Sequence, residues 1–193
     1  SRLDYANDGA ATSPKGPLIG VLDNGSGAGA GTGNVNFGYF QTNNGYLTTT
    51  QISRVDYGND TATALSKGPL TANCYMRSAT GSANYGYFSG GYQWPVFGFS
   101  TIDRIDYAND TATASPKGPL ATGTRRTAGV SSQEHGFPAP TSPGPNASTS
   151  DRVVGPAYGY NAGGQAAAAG NMSLVQRLDF NSDTVTTSNK GNL

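Results

Sequence analysis

The chain is short of the residues that usually carry chemistry. One cysteine, Cys74, and one histidine, His135, stand among 193 residues. A single cysteine excludes an intrachain disulfide and any site built on paired thiolates. Cys74 reads as a small buried apolar residue. A lone histidine leaves a Ser–His–Asp triad or a histidine-based zinc site resting on one residue of an irregular segment, and nothing arranges a nucleophile beside Glu134-His135. No catalytic residue, metal ligand or cofactor is therefore assigned. Charge is scarce too: 12% of residues are charged, with Lys+Arg at 12 and Asp+Glu at 12. So even a balance argues against a nucleic-acid partner, which calls for a basic surface. No apolar run approaches the ~18–20 residues that span a bilayer, so membrane insertion is not expected. No secretory leader is visible, and the chain opens inside a repeat. It reads as a processed chain or a part of a longer protein.

What is abundant is 28 Gly, 11 Pro and 11 Tyr, with much Thr, Ser, Asn and Ala. This composition is poor for helices and suits short strands joined by tight turns. Repeated apolar and aromatic positions argue against disorder. One passage recurs four times. Its fullest copy runs Asp103-Arg104-Ile105-Asp106-Tyr107-Ala108-Asn109-Asp110-Thr111-Ala112-Thr113-Ala114-Ser115-Pro116-Lys117-Gly118-Pro119-Leu120. The others begin at Ser1-Arg2-Leu3-Asp4-Tyr5, Ser53-Arg54-Val55-Asp56-Tyr57 and Gln176-Arg177-Leu178-Asp179-Phe180.

Each copy alternates apolar and polar residues, turns at Asn-Asp, and ends at Lys-Gly, which reads as a hairpin. Between copies, Asn36-Phe37-Gly38-Tyr39-Phe40 matches Asn84-Tyr85-Gly86-Tyr87-Phe88. A unit of about 50 residues thus holds four candidate strands. In the best copy they cover 74–80, 84–88, 100–107 and 111–115, and residues 34–40 are read as a strand of the preceding unit. The Gly-rich run 25–31 contains Gly27-x-Gly29-x-x-Thr32, but a strand follows it where a dinucleotide fingerprint needs a helix. After residue 120 the spacing breaks: positions 2, 54 and 104 lie 52 and 50 apart, whereas Arg177 comes 73 after Arg104. Either a degenerate repeat or an inserted loop, rich in Pro, Ser and Gly at 138–150, fills the gap. The expected organisation is an outer hairpin of a partial blade at 1–18, blades at 19–70 and 71–120, and irregular blade sequence at 121–193.

The unit resembles a kelch-type repeat: a strand ending in Gly-Gly (Tyr87-Phe88-Ser89-Gly90-Gly91), a strand with apolar-Asp-apolar (Ile105-Asp106-Tyr107), a short turn and a last strand. The resemblance covers nearly the whole chain. Thr63, Thr113 and Thr186 stand where such repeats carry a tryptophan, and Asn43-Asn44-Gly45 replaces one Gly-Gly. It implies an all-β fold of kelch-like β-propeller blades. The wording of the repeat also resembles repeat proteins of marine bacteriophages, above all those of cyanobacteria, which are similar to predicted tail-fibre or virion appendage proteins. A propeller closes with about four to eight blades. This chain carries about three and a half, and both its ends bear the same half-blade. Part of a longer propeller, or a homo-oligomer, is expected.

The pairs Arg2/Asp4, Arg54/Asp56, Arg104/Asp106 and Arg177/Asp179 put two opposite charges on one strand face at i and i+2, where they are expected to hold register between blades. The second aspartates (Asp8, Asp60, Asp110, Asp183) are read as turn formers, since calcium needs more oxygens than such a hairpin supplies. Lys15, Lys67, Lys117 and Lys190 are read as solvated strand ends. Tyr92, Trp94, Phe97 and Phe99 share one inter-strand loop and are the candidate contacts for a glycan or a partner subunit. The expected function is non-enzymatic: a structural or recognition protein of an extracellular assembly, most concretely a phage tail-fibre or virion appendage contacting a host surface glycan or neighbouring virion or filament subunits. The alternatives are a cellular adhesin or filament subunit, and a glycan-active propeller enzyme, which needs converging carboxylates.

Overall fold

The computed structural model describes residues 1–2, 9, 11–20, 29–42, 50–131, 157–166 and 170–193. Its described residues are all-β and form three antiparallel four-stranded sheets. The first contains β1 (Gly31–Gly33), β2 (Phe37–Gln41), β3 (Ile52–Asp56) and β4 (Leu65–Lys67). The second contains β5 (Ser78–Gly81), β6 (Tyr85–Ser89), β7 (Ile102–Asp106) and β8 (Ser115–Lys117). The third begins with β9 (Ala128–Ser131) and β10 (Tyr158–Ala162). A small hairpin of β11 (Gln165–Ala166) and β12 (Gly170–Asn171) follows, and β13 (Leu174–Asp179) and β14 (Ser188–Asn192) complete the sheet. Every four-stranded sheet takes its strands in chain order. Among the described residues of 1–18, Arg2 and Ser13 exchange backbone hydrogen bonds, as a hairpin requires.

The register repeats. Tyr39 faces Arg54, Tyr87 faces Arg104, and Tyr160 faces Arg177 across the second and third strands. The described residues of 121–193 form a single four-stranded sheet in which β9 pairs directly with β10. His135, Glu134, Asp151 and the Pro/Ser-rich stretch 138–150 lie outside the described residues, as do Asp4, Asp8, Asp23 and Asn43-Asn44-Gly45.

The apolar cores lie between sheets. Tyr39, Ile52 and Leu70 of the first meet Phe88, Ile105 and Tyr107 of the second. Tyr87, Ile102 and Leu120 of the second meet Leu178 and Phe180 of the third. Both faces of the middle sheet are thus covered. Burying a large apolar side chain contributes about 1.5–3 kcal/mol, so neighbouring sheets stabilise one another.

Several strand limits differ from those read off the sequence. Residues 34–40 are not one strand. Asn34 turns the chain, its Oδ1 accepting hydrogen bonds from the Asn36 and Phe37 amides, so β1 and β2 form a hairpin. The fourth strand of the second sheet starts at Ser115 rather than Thr111. Residues 107–109 form a 3-10 turn, and Ala114 spends its N–H on the Pro69 carbonyl of the first sheet (2.9 Å). Pro116 is no strand breaker here, because β8 is an edge strand where a missing N–H costs no ladder bond.

Candidate functional site

The repeated charges meet between sheets, with partners other than those the i, i+2 spacing suggests. Asp56 and Asp106 do not pair with Arg54 and Arg104. Their carboxylates accept the Gly58 and Ala108 amides at 2.8 and 2.9 Å and cap the 3-10 turns. Asp179 accepts the Asn181 amide in the same way. The cationic partners instead reach the second aspartate of the next copy. Asp110 accepts from Arg54 (2.7 Å), Lys67 (3.0 Å) and Tyr39 (2.8 Å). Asp183 receives Arg104 (2.7 Å), Lys117 (3.5 Å) and Tyr87 (3.0 Å). Asp60 receives Arg2 (3.0 Å) and Lys15 (3.3 Å). The lysines read as solvated are therefore paired in the first three copies.

Burial alone would raise the Asp110 carboxyl. Hydrogen bonds from Lys67, Tyr39 and Arg54, together with the Arg54 charge, outweigh it and hold the group below the ordinary carboxylate value. The Tyr39 phenol is pushed far up by burial first and by Asp110 second, and so stays a neutral donor. Three arginines also lie over the ring that opens the second strand of their sheet: Arg54 over Phe37 (4.2 Å), Arg104 over Tyr85 (4.3 Å) and Arg177 over Tyr158 (4.0 Å).

Backbone closes the same joints. The Gly16, Gly68 and Gly118 amides each donate to the carbonyl of the next aspartate at 2.8 Å. A Cβ on Gly118 would lie 2.0 Å from the Val185 carbonyl oxygen, so only glycine lets the strands approach. The Lys-Gly-Pro-Leu passage is a joint between sheets as well as a strand end.

The middle sheet holds one fully buried ion pair. Arg77 donates to Asp103 at 3.0 Å, and both side chains are at 0% exposure. Thr71 donates to the same carboxylate through its N–H and hydroxyl. Arg77 also reaches the Phe88 and Ala72 carbonyls and the Cys74 sulfur. Cys74 is buried as read from the sequence, and burial raises its thiol pKa against the opposing pull of Arg77. No cluster of metal-ligating side chains exists among the described residues.

The aromatic loop 90–101 joins β6 to β7 and brings together three of its four candidate residues. Trp94 stands edge-on to Phe97 at 5.4 Å, and Phe97 lies 5.7 Å from Tyr92. Tyr75 supports Tyr92 from below at 5.1 Å. Trp94 is 71% exposed and Phe97 40%. Phe99 is half-buried and serves through its backbone, accepting from the Thr124 amide at 3.1 Å and donating to Gly91 at 3.0 Å. The spacing gave no sign of Arg125, whose guanidinium lies 4.6 Å from the Tyr92 ring and 5.6 Å from that of Phe97. Arg125 and Gln165 exchange backbone hydrogen bonds at 2.9 Å, which brings in the amides of Gln165 and Asn171, themselves bonded at 2.9 Å. Arg126 reaches Gln165 at 3.4 Å from a backbone with φ of 56°. The one signal in the sequence was that copies disagree here: Thr124-Arg125-Arg126 stands where the earlier copy has Cys74-Tyr75-Met76. The result is a ledge of rings, guanidinium and amides, exposed at Trp94 and Phe97 and half-buried at Tyr92, Arg125 and Gln165.

No family model matches the chain, and no curated protein matches it. Solved structures do match. That of YjhT superposes with a TM-score of 0.58 at 9% identity, over 93% of this chain and 54% of YjhT. The likeness is one of fold, and the chain spans about half the length of the YjhT chain.

Proposed function

We propose that the protein is a non-enzymatic recognition and structural component of an extracellular assembly, built from kelch-like β-propeller blades, and most concretely part of a phage tail fibre or virion appendage. Three four-stranded sheets in chain order, packed through cores between neighbours, support the blade reading. The phage assignment rests on the wording of the repeat.

The observation that carries recognition is the ledge of Tyr92, Trp94 and Phe97 with Arg125. An indole left 71% exposed forgoes burial that would stabilise the fold. Flat rings beside amide groups suit the apolar faces and hydroxyls of a host surface glycan. Among the described residues the acidic groups are engaged: Asp60, Asp110 and Asp183 by cations, Asp56, Asp106 and Asp179 by turn amides, and Asp103 by Arg77. None of these seven is thus left free to serve among the convergent carboxylates that the enzyme reading needs.

Glycan-array binding by the whole chain tests the proposal. Trp94→Ala is expected to abolish the signals while the thermal midpoint moves by less than about 2 °C, as for a surface change. Unchanged binding by Trp94→Ala would sink the ledge as the recognition surface. Labelling of intact particles separates a virion component from a cellular adhesin.

A further inference from the structure

One backbone bridge recurs in successive copies with opposite chemistry. In the earlier copy it joins Tyr75 to Tyr92, and in the later one it joins Arg125 to Gln165. The residue after each bridge has a left-handed backbone, Met76 at φ 59° and Arg126 at φ 56°. The earlier copy builds this corner from two rings in edge contact and a methionine at 4% exposure. The corner therefore folds without charge. The later copy nevertheless places two arginines there, Arg125 half-buried and Arg126 exposed.

Neither cation has an acid of its own. Among the described residues no carboxylate lies within ion-pair reach of Arg125 or Arg126. Their polar neighbours are neutral: Arg126 donates to Gln165 at 3.4 Å, and Gln165 donates to Asn171 at 2.9 Å. Elsewhere in the molecule an arginine seated over a ring takes a carboxylate. Arg54 over Phe37 holds Asp110 at 2.7 Å, and Arg104 over Tyr85 holds Asp183 at 2.7 Å. Stacking covers the face of a guanidinium and leaves its N–H edge for a planar anion. Arg125 is seated in the same way over Tyr92, at 4.6 Å.

We propose that the ledge takes an acidic sugar: a pyranose that stacks on Trp94 and Phe97 and carries a carboxylate on its ring, as a hexuronic acid does, received by Arg125 and Arg126. This ligand assignment rests on the ledge being the recognition surface and adds the charge of what it binds. The Phe97 ring stands 5.4 Å from that of Trp94 and 5.6 Å from the Arg125 guanidinium. Stacking platform and cation are thus immediate neighbours. An acid bonded directly to the sugar ring spans that separation, and its two oxygens match the guanidinium fork.

Binding by the whole chain to matched sugars tests it. The probes are oligosaccharides ending in a hexuronic acid of gluco, galacto or manno configuration, beside the neutral and the 6-sulfated hexoses of the same configurations. At least one hexuronic acid should bind about 10-fold or more tightly than its neutral counterpart, as a charge-assisted hydrogen bond provides. The preference should shrink as salt rises, because the arginines are partly solvated. Arg125→Gln with Arg126→Gln should remove the preference whatever the level of neutral binding. Arg125→Lys alone, a point charge without the fork, should keep only part of it. Equal binding of acidic and neutral sugars overturns the acidic-sugar assignment, as does a preference that the arginine variants and salt leave unmoved. In both cases the ledge reading still stands if Trp94→Ala abolishes binding. Tighter binding of a sulfated hexose than of its hexuronic acid overturns the carboxylate. A chain that binds none of these sugars overturns the assignment too, and the wider glycan array then decides the ledge by itself. Binding that survives Trp94→Ala sinks the ledge reading and the acidic sugar with it.

Discussion

Replacing Asp110 by alanine isolates the contribution of one joint. Its carboxylate is 8% exposed and faces Arg54 and Lys67, at 18% and 11% exposure. The substitution strands two largely buried cations and the Tyr39 hydroxyl between the first and second sheets. Breaking a buried pair on one side costs about 3–5 kcal/mol, and the residual exposure here places the expected loss near the lower end, about 3 kcal/mol. For a chain of this size that corresponds to a thermal midpoint lower by about 6–12 °C. Asp60 is the internal control. It holds an arginine that is 60% exposed and a lysine that is 20% exposed, so Asp60→Ala should cost no more than about 1 kcal/mol. Urea unfolding of the two variants beside the wild type reads both numbers as midpoint shifts. Equal losses would refute the reasoning, as would a loss for Asp110→Ala below about 1 kcal/mol. The pH dependence has a definite sign. The folded-state Asp110 carboxyl lies below its unfolded value, so its contribution is complete above the ordinary aspartate pKa of about 3.9 and disappears as pH falls below it. Asp110→Ala should therefore flatten the acid limb of the stability curve.

Three further outcomes are expected. Arg77→Met leaves Asp103 buried without its cation and should cost about 3–5 kcal/mol by denaturant midpoint. Gly68→Ala drives a methyl into the Ala112 carbonyl, 1.8 Å from the built Cβ, and should lose about 1–3 kcal/mol without changing the slope of the denaturant curve. Tyr39, Tyr87 and Tyr107 are held protonated, above all by burial, with Asp110 and Asp183 adding to it for the first two. Their folded values lie above the unfolded value of about 10, so this stability is complete below pH 10 and lost as pH rises beyond it. Phenolate absorbance should show these three ionising only with unfolding; titration of all tyrosines near pH 10 in an intact fold would contradict that.

The repeat made the sheets legible because strand periodicity and turn chemistry are local. Residues 84–88 and 100–107 were read as strands, and β6 and β7 lie within a residue or two of those limits. The errors arose where a residue serves another sheet. Ala114 bonds Pro69 instead of extending β8, and Asn34 splits one apparent strand into a hairpin. The aromatic loop was visible as a place where copies differ, but Arg125 reaches Tyr92 across 33 positions of sequence, which no spacing rule conveys.

The sequence by itself determined that this is an all-β repeat chain, with no disulfide of its own and recurring Arg, Asp, Lys and Tyr positions. Alternation and turn residues act over a few bonds and can be read from neighbours. Only the tertiary structure decided which charges pair. An arginine and an aspartate two residues apart look like natural partners, yet the turn amides claim Asp56 and Asp106, and the arginines pair with Asp110 and Asp183 of the following sheet. That choice depends on how two sheets stack, because only stacking removes water from the side chains and sets which carboxylate lies within reach.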